Sequence, residues 1–338
     1  MRTTPSMFTT RSSGRLRATL ALLVLALIAA LTGCGTSSGD TAAPSGPREV
    51  QTPKGPVSVP ADPQRIVVLN GTLAGYLYDL EAPVVAADPR LLGVASKPGE
   101  FPTGWAEDAA KQGTKALPTG ENINLEFIAA QRPDLIIGGG QGYPAQQSVN
   151  AYDQLSAIAP TVLVPTETTY WQDQLRVIAD VVGKPSEVDQ LIANYKDKLA
   201  KAKSSIKAPA GNAVVMQSLK SQKPTAFVPT AALPTLLSEV GFTLDRQLES
   251  KAGNPAREGS ADFISFSPEL LNTAVDAPVL FMIPLNGGRS LAELRADPMY
   301  ASLPSFKANT VFELPATSSR PDYRTVMTTL DLLVERFK

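Results

Sequence analysis

The chain has 338 residues, 31 Lys and Arg against 32 Asp and Glu, a formal charge of −1, one cysteine and no histidine. The missing histidine excludes Ser-His-Asp and Cys-His catalysis, imidazole metal sites and the H-E-x-x-H helix. A chain whose lysines and arginines are scattered among acids, with no long basic run, is also a poor nucleic-acid binder.

In chain order, Arg2, Arg11, Arg15 and Arg17 form a basic start without an acid, followed by the apolar run ATLALLVLALIAAL at residues 18–31. That run is short of the ~20 residues a membrane-spanning helix needs and suits the core of a signal peptide. It ends in Leu31-Thr32-Gly33-Cys34, and Cys34 is the sole cysteine. The motif resembles the lipobox of bacterial lipoproteins, in which processing leaves the cysteine as a lipid-bearing N-terminus. The expected layout is a signal peptide over 1–33, lipidation at Cys34 and a flexible Gly/Ser/Ala/Pro-rich tether over 34–54. The protein is then exported and anchored by lipid to the outer face of the cell membrane. At roughly 100–200 residues per domain, the remainder allows two domains.

Order is expected to begin near GPVSVP (55–60). RIVVLN (65–70), APVVAAD (82–88), DLIIGG (134–139) and PTVLVP (160–165) then read as short strands. Their consecutive apolar positions suit strands covered on both faces. Helical spacing between them, as at Leu125, Ile128 and Ala129, argues for βα units around a mostly parallel sheet. The second half repeats the theme with strands NAVVMQSL (212–219), APVLFMI (277–283) and NTVFEL (309–314), and helices over 233–240, 268–274 and 321–337. Between the halves lies the most periodic helix of the sequence, residues 185–206. Val188, Leu191, Ile192, Tyr195, Leu199, Ala202 and Ile206 form one stripe, and Ser186 is placed to cap its start. The predicted class is α/β, with two Rossmann-like lobes of mostly parallel sheet over 55–184 and 208–338, joined by one long helix over 185–207.

Two motif matches fail on context. Gly35-Thr36-Ser37-Ser38-Gly39 fits G-x-S-x-G but lies in the tether, where no strand–turn–helix elbow forms. GGGQGY (138–143) lacks the last glycine of a dinucleotide fingerprint and is followed by Pro144. Its glycines instead let a ligand approach the carboxyl end of a strand.

Within NINLEFIAAQRPDLII (122–137), Glu126 opens a helical turn that Pro133 ends before a strand. Alone it reads as a first-turn carboxylate favoured by the helix dipole. FSPELLNTAVDAPVLFMI (266–283) repeats the arrangement with Glu269 and Pro278, so each half carries one carboxylate at the same structural place.

The lipobox, VSVPADPQRIVVLN (57–70), NLEFIAAQRPDLII (124–137), the stretch from Trp171 to KDKL (171–199) and ISFSPELL (264–271) together resemble the substrate-binding lipoproteins of ABC importers for ferric siderophores and cobalamin. The resemblance covers nearly the whole mature chain. It implies a non-catalytic, monomeric protein that holds a ferric siderophore in the cleft between its lobes. It also implies that Glu126 and Glu269 dock onto arginines of a membrane permease. Heme or cobalamin cargo, a non-transport envelope interaction protein and an envelope-tethered α/β hydrolase are the alternatives. The ferric chelate is cargo, so no intrinsic cofactor or protein metal ligand is expected.

Aromatics supply flat contact area and arginines suit carboxylate or catecholate oxygens. The cleft candidates at strand ends are Tyr76, Trp105 and Tyr143 in the first lobe, with Phe227, Arg257, Arg320 and Tyr323 in the second. Trp105 and Trp171 are expected near the cleft.

Overall fold

The computed structural model describes residues 46–338 apart from 92, 95, 96, 98, 222, 259 and 260. The expected signal peptide and the expected lipidation residue Cys34 lie outside the described residues.

An antiparallel hairpin comes first, β1 (Arg48–Thr52) on β2 (Gly55–Val59). Residues 48–52 were expected to be tether, so the structure moves the start of order upstream. REVQT has one apolar residue, and its anchors are tertiary: Val50 is buried, and the Arg48 guanidinium donates to the carbonyls of Asp180 and Val181. Those carbonyls belong to a helix C-terminus, where a cation is favoured.

The first lobe then runs β3 (Ile66–Val68), α1 (Gly71–Asp79), β4 (Val84–Ala87), α2 (Ala106–Gln112), β5 (Lys115–Ala116), α3 (Leu125–Ala130), β6 (Leu135–Gly139), α4 (Tyr143–Asn150), α5 (Tyr152–Ser156), β7 (Thr161–Val164) and α6 (Trp171–Val182). Its five strands are all parallel in the order β5-β4-β3-β6-β7, so the order reverses beside β3. Ile66, Val68, Leu135, Ile137, Val162 and Val164 face one way, into the core formed with α1 and α6. Val67, Ile136 and Ala86 face the other way, onto Ile128 and Leu155. Period-2 alternation between two covered faces is why these strands are apolar at every position.

Helix α7 (Pro185–Ser205) follows α6 directly, buries Val188, Ile192, Tyr195 and Ala202, and spans about 32 Å. Its cap differs from expectation. Lys184 is the N-cap residue, Pro185 occupies the first helical turn, and the Ser186 hydroxyl bonds the Glu187 carboxylate. Proline there removes an amide that had no partner to lose. Lys184 instead turns its ammonium onto the Leu80 and Glu81 carbonyls, 2.6 and 3.2 Å away, beyond the end of α1.

The second lobe comprises β8 (Asn212–Ser218), β9 (Thr225–Phe227), α8 (Ala232–Glu239), β10 (Thr243–Leu244), α9 (Leu248–Lys251), β11 (Arg257–Glu258) and β12 (Phe263–Ser265). After a 3-10 turn (Pro268–Leu270) come α10 (Leu271–Ala274), β13 (Val279–Pro284), α11 (Leu291–Ala296), α12 (Pro298–Ala301), α13 (Pro304–Lys307) and β14 (Val311–Glu313). A second 3-10 turn (Ala316–Ser319) leads into α14 (Tyr323–Phe337). Strands β10, β8, β13 and β14 pair in parallel, while β9, β12 and β11 add antiparallel to one edge. This sheet is therefore mixed, and the three antiparallel strands were not foreseen as strands.

The lobes meet along α1 and α14. Arg324 of α14 gives its guanidinium to Asp79, at the end of α1, and to Asp108 of α2. Beside it Asp322 caps α14, accepting from the Thr325 amide at 2.8 Å while its own amide donates to the Thr325 hydroxyl at 2.7 Å. Asp322 sits directly over Gly75, where a Cβ would come within 2.5 Å of Oδ2. Tyr195 of α7 touches both lobes, with its ring edge-on to Trp171 at 5.0 Å and its hydroxyl donating to Glu239 of α8 at 3.1 Å.

Burial pushes the Asp79 carboxyl up from 3.8 to about 7, against the pull of Arg324 and with help from the nearby Asp322. Between those values the folded chain holds a proton the unfolded chain has released, so this group's contribution to stability falls as pH rises from about 4 to about 7. Asp79→Asn has no proton to exchange there. Urea denaturation from pH 5 to 8 should show wild type losing stability relative to the variant. A pH-independent difference would contradict the assignment.

Candidate ligand cleft

The reversal of strand order beside β3 sets the position of the site, because loops leaving adjacent strands in opposite directions open a crevice at their carboxyl ends. Asn70, immediately after β3, is fully buried there. Its Oδ1 accepts from the Thr72 amide and hydroxyl at 3.1 and 2.6 Å, capping α1. Its Nδ2 donates to the carbonyls of Gly139 and Gln141 at 2.8 and 3.0 Å. One side chain thus ties the loop after β3 to the glycine loop after β6. Gly139 has φ of 76°, and a Cβ there would lie 2.4 Å from the Val164 carbonyl, so this turn admits only glycine.

Above this knot, between the lobes, lies a cleft with about 960 Å³ of atom-free space, partly open to solvent. The first lobe contributes Thr72, Tyr76, Gln141, Thr169, Tyr170 and Gln174, and the second contributes Thr230, Asp262, Ser319, Arg320 and Asp322. A neighbouring hollow, about 750 Å³ including the solvent it opens onto, shares Ser319 and Arg320 and is walled by Phe227, Phe263, Leu285 and Glu258. Arg320 therefore stands between the two. Its guanidinium donates across the cleft to Gln141 Oε1 and lies 3.5 Å from Asp262. Burial pulls its pKa down while Asp262 pulls it up, with burial the larger influence. Tyr76 forms the floor, donating to Gln174 Oε1 at 3.0 Å. Burial, then Asp322 and Asp79, push its phenol well above the usual range, so it stays a neutral donor.

Tyr76, Phe227 and Arg320 line these two adjacent compartments. The other four candidates are elsewhere. Trp105 is buried in the first lobe's core between Tyr78 and Phe101, with ring centroids 5.4 and 4.9 Å away. Tyr143 is exposed on a separate shallow groove, donates to the Glu121 carbonyl at 3.1 Å and lies under Arg90. Arg257 is held by both oxygens of Glu249 at 2.8 Å, and its strand neighbour Glu258 is the one that reaches the second compartment. Tyr323 turns toward Trp171, 6.0 Å between rings. Trp171 is likewise core and does not line the cleft. Each is an aromatic or arginine whose neighbours in sequence gave no hint of which way its side chain turns.

Sequence reading missed Tyr170, Gln141, Asp262 and Thr230. Tyr170 carried a signal: it sits in TETTY, the loop leaving the carboxyl end of β7, and is 58% exposed despite its size. Glu126, in the first turn of α3, and Glu269, in the 3-10 turn Pro268–Leu270, are both exposed and outside both compartments.

This two-lobed architecture has a counterpart among known families: the model of the periplasmic binding protein family matches residues 66–317. The chain belongs to that family. The ferric enterobactin-binding periplasmic protein FepB of Escherichia coli O6:H1 is 29% identical over 294 residues, covering 86% of this chain and 91% of that protein. The probable siderophore-binding lipoprotein YfiY of Bacillus subtilis is 28% identical over 222 residues, 65% of each chain. Among solved structures, holo-ViuP superposes with a TM-score of 0.71 at 24% identity, over 86% of this chain and 95% of that one. A periplasmic solute binding protein from Mycobacterium smegmatis gives a TM-score of 0.68 at 22% identity, over 86% and 97%. At these identities the structural matches establish the two-lobed fold.

Asn70 should be the residue this site least tolerates losing. Asn70→Ala removes a cap worth about 0.5–2 kcal/mol and strands two carbonyls whose desolvation costs about 1–3 kcal/mol. Chemical denaturation should show destabilisation of about 2–4 kcal/mol. A loss within experimental error of zero would show that the knot does not organise the cleft.

Proposed function

We propose that this exported binding protein captures a ferric siderophore between its lobes and delivers it to an ABC permease, remaining attached to the membrane through lipid on Cys34. The observation that carries the reading is the cleft at the strand-order reversal, lined from both lobes and bordering a second compartment at Arg320. Family membership and the siderophore-binding names of relatives such as FepB and YfiY support the same cargo. A ferric chelate arrives with its iron already coordinated, so the protein has only to recognise an outer surface of oxygens and apolar arms. Hydroxyls, amides, a phenol floor and one guanidinium suit that task.

The reading includes docking through Glu126 and Glu269, with the protein acting as a monomer. Their exposure supports it, since exposed carboxylates on separate lobes steer and orient a basic partner more than they add affinity. The lipid anchor raises the local concentration of binder at its permease.

Titration with a panel of ferric siderophores should give saturable heats and a rise in Tm by mass action. Absence of both with every chelate would defeat the capture reading. Glu126→Ala and Glu269→Ala should each impair chelate uptake by cells while leaving Kd for the chelate nearly unchanged. Loss of chelate binding in either variant would return that glutamate to the cleft.

A further inference from the structure

The walls of the cleft carry information about the charge of its cargo. Among the described lining residues of both compartments, Arg320 is the one cation, whereas Asp262, Asp322 and Glu258 are carboxylates. Arg320 is already matched by Asp262 at 3.5 Å. The other cations near the cleft are matched as well: Arg90 by Asp88 at 2.5 Å, Arg289 by Asp297 at 2.8 Å, Arg257 by Glu249 at 2.8 Å and Lys223 by Glu258 at 3.7 Å. Lys220, close to Gly287, lines neither compartment. The remaining polar lining groups are hydroxyls and amides, Thr72, Gln141, Tyr170 and Thr230 among them, and are neutral.

A highly charged anion entering this cleft gives up part of its hydration and meets walls with no surplus of positive charge to replace it. Asp262 and Glu258 hold the neighbouring cations in ion pairs, and Asp322 adds a carboxylate beyond them, so a negative charge entering the cleft finds no cation free to receive it among the described lining residues. A neutral chelate has no such cost. A cationic one meets the Asp322 carboxylate and the exposed Tyr170 ring, which offers a cation–π surface.

Resting on the siderophore reading above, we infer that the cleft selects ferric chelates of neutral or positive net charge, of the trihydroxamate type, and discriminates against trianionic tris-catecholates. Arg320 serves in this scheme as one half of an internal ion pair with Asp262 and as a bridge to Gln141, and supplies no net anion-binding charge.

The test is isothermal titration of the full-length exported protein with monocationic ferrioxamine B, neutral ferrichrome and a trianionic ferric tris-catecholate, at low and at moderate salt. The two hydroxamates should bind at least about tenfold tighter than the trianion at low salt, and the gap should narrow as salt screens the repulsion. Asp262→Asn and Glu258→Gln should each narrow it further by strengthening trianion binding. Tighter binding of the trianion than of both hydroxamates, unchanged in the two variants, would overturn the inference and leave chelate capture standing. If no chelate of any charge binds, the capture reading falls and the inference falls with it.

Discussion

The two lobes are held against each other by a partly buried electrostatic contact at the back of the cleft. Arg324, in the first turn of the last helix, reaches out of its own lobe to Asp79 and Asp108 of the other. Burial of Asp79 outweighs the pull of that guanidinium, and the nearby Asp322 adds to the effect, so Asp79 holds its proton up to about 7. Such a contact adds little net stability, because desolvation consumes most of the Coulomb gain. It does define geometry: the fork of an arginine fits two carboxylates in one orientation. Gly75 completes the junction by letting the Asp322 cap approach the helix backbone where any Cβ would collide.

With the lobes fixed along that line, the cleft in front inherits its lining from loops that have no choice of position. The reversal of strand order puts Thr72 and Gln141 on either side of a crevice, and Asn70 locks them to one another. The second lobe answers with the 3-10 turn Ala316–Ser319 and Arg320, whose guanidinium crosses back to Gln141. The same arginine faces both compartments, so a ligand in either one meets the same guanidinium.

Much of the architecture was legible because it rests on burial. Ile66-Val67-Val68 and Leu135-Ile136-Ile137 are apolar at consecutive positions since both sheet faces are covered, and that pattern survives in a bare sequence. The stripe on α7 is legible for the same reason. Elements held by polar or tertiary contacts were not. β1 depends on one buried valine and on Arg48 reaching residues 132 and 133 positions away. β9 and β12 are three residues each and β11 two, too short to show a period. The site was legible only in part, because residue type does not determine direction. Trp105 and Tyr323 have the chemistry of ligand contacts but turn into packing. Tyr170 has the same chemistry and remains exposed because it lies past a strand's carboxyl end with nothing packed over it.

The long helix then constrains how the cleft can open. Tyr195, near its middle, is seated against Trp171 of one lobe and hydrogen-bonded to Glu239 of the other, while Lys184 ties its start to the end of α1. Bending a continuous helix means breaking its i to i−4 bonds, whereas a loop hinge absorbs the same motion in a few dihedral angles. A continuous α7 therefore favours small tilts of the lobes over wide closure of the cleft. A cleft of this kind cannot adapt its shape or charge by wide closure over the ligand. Its discrimination has to reside in side chains already in place, which gives Arg320, Asp262 and Tyr170 their weight.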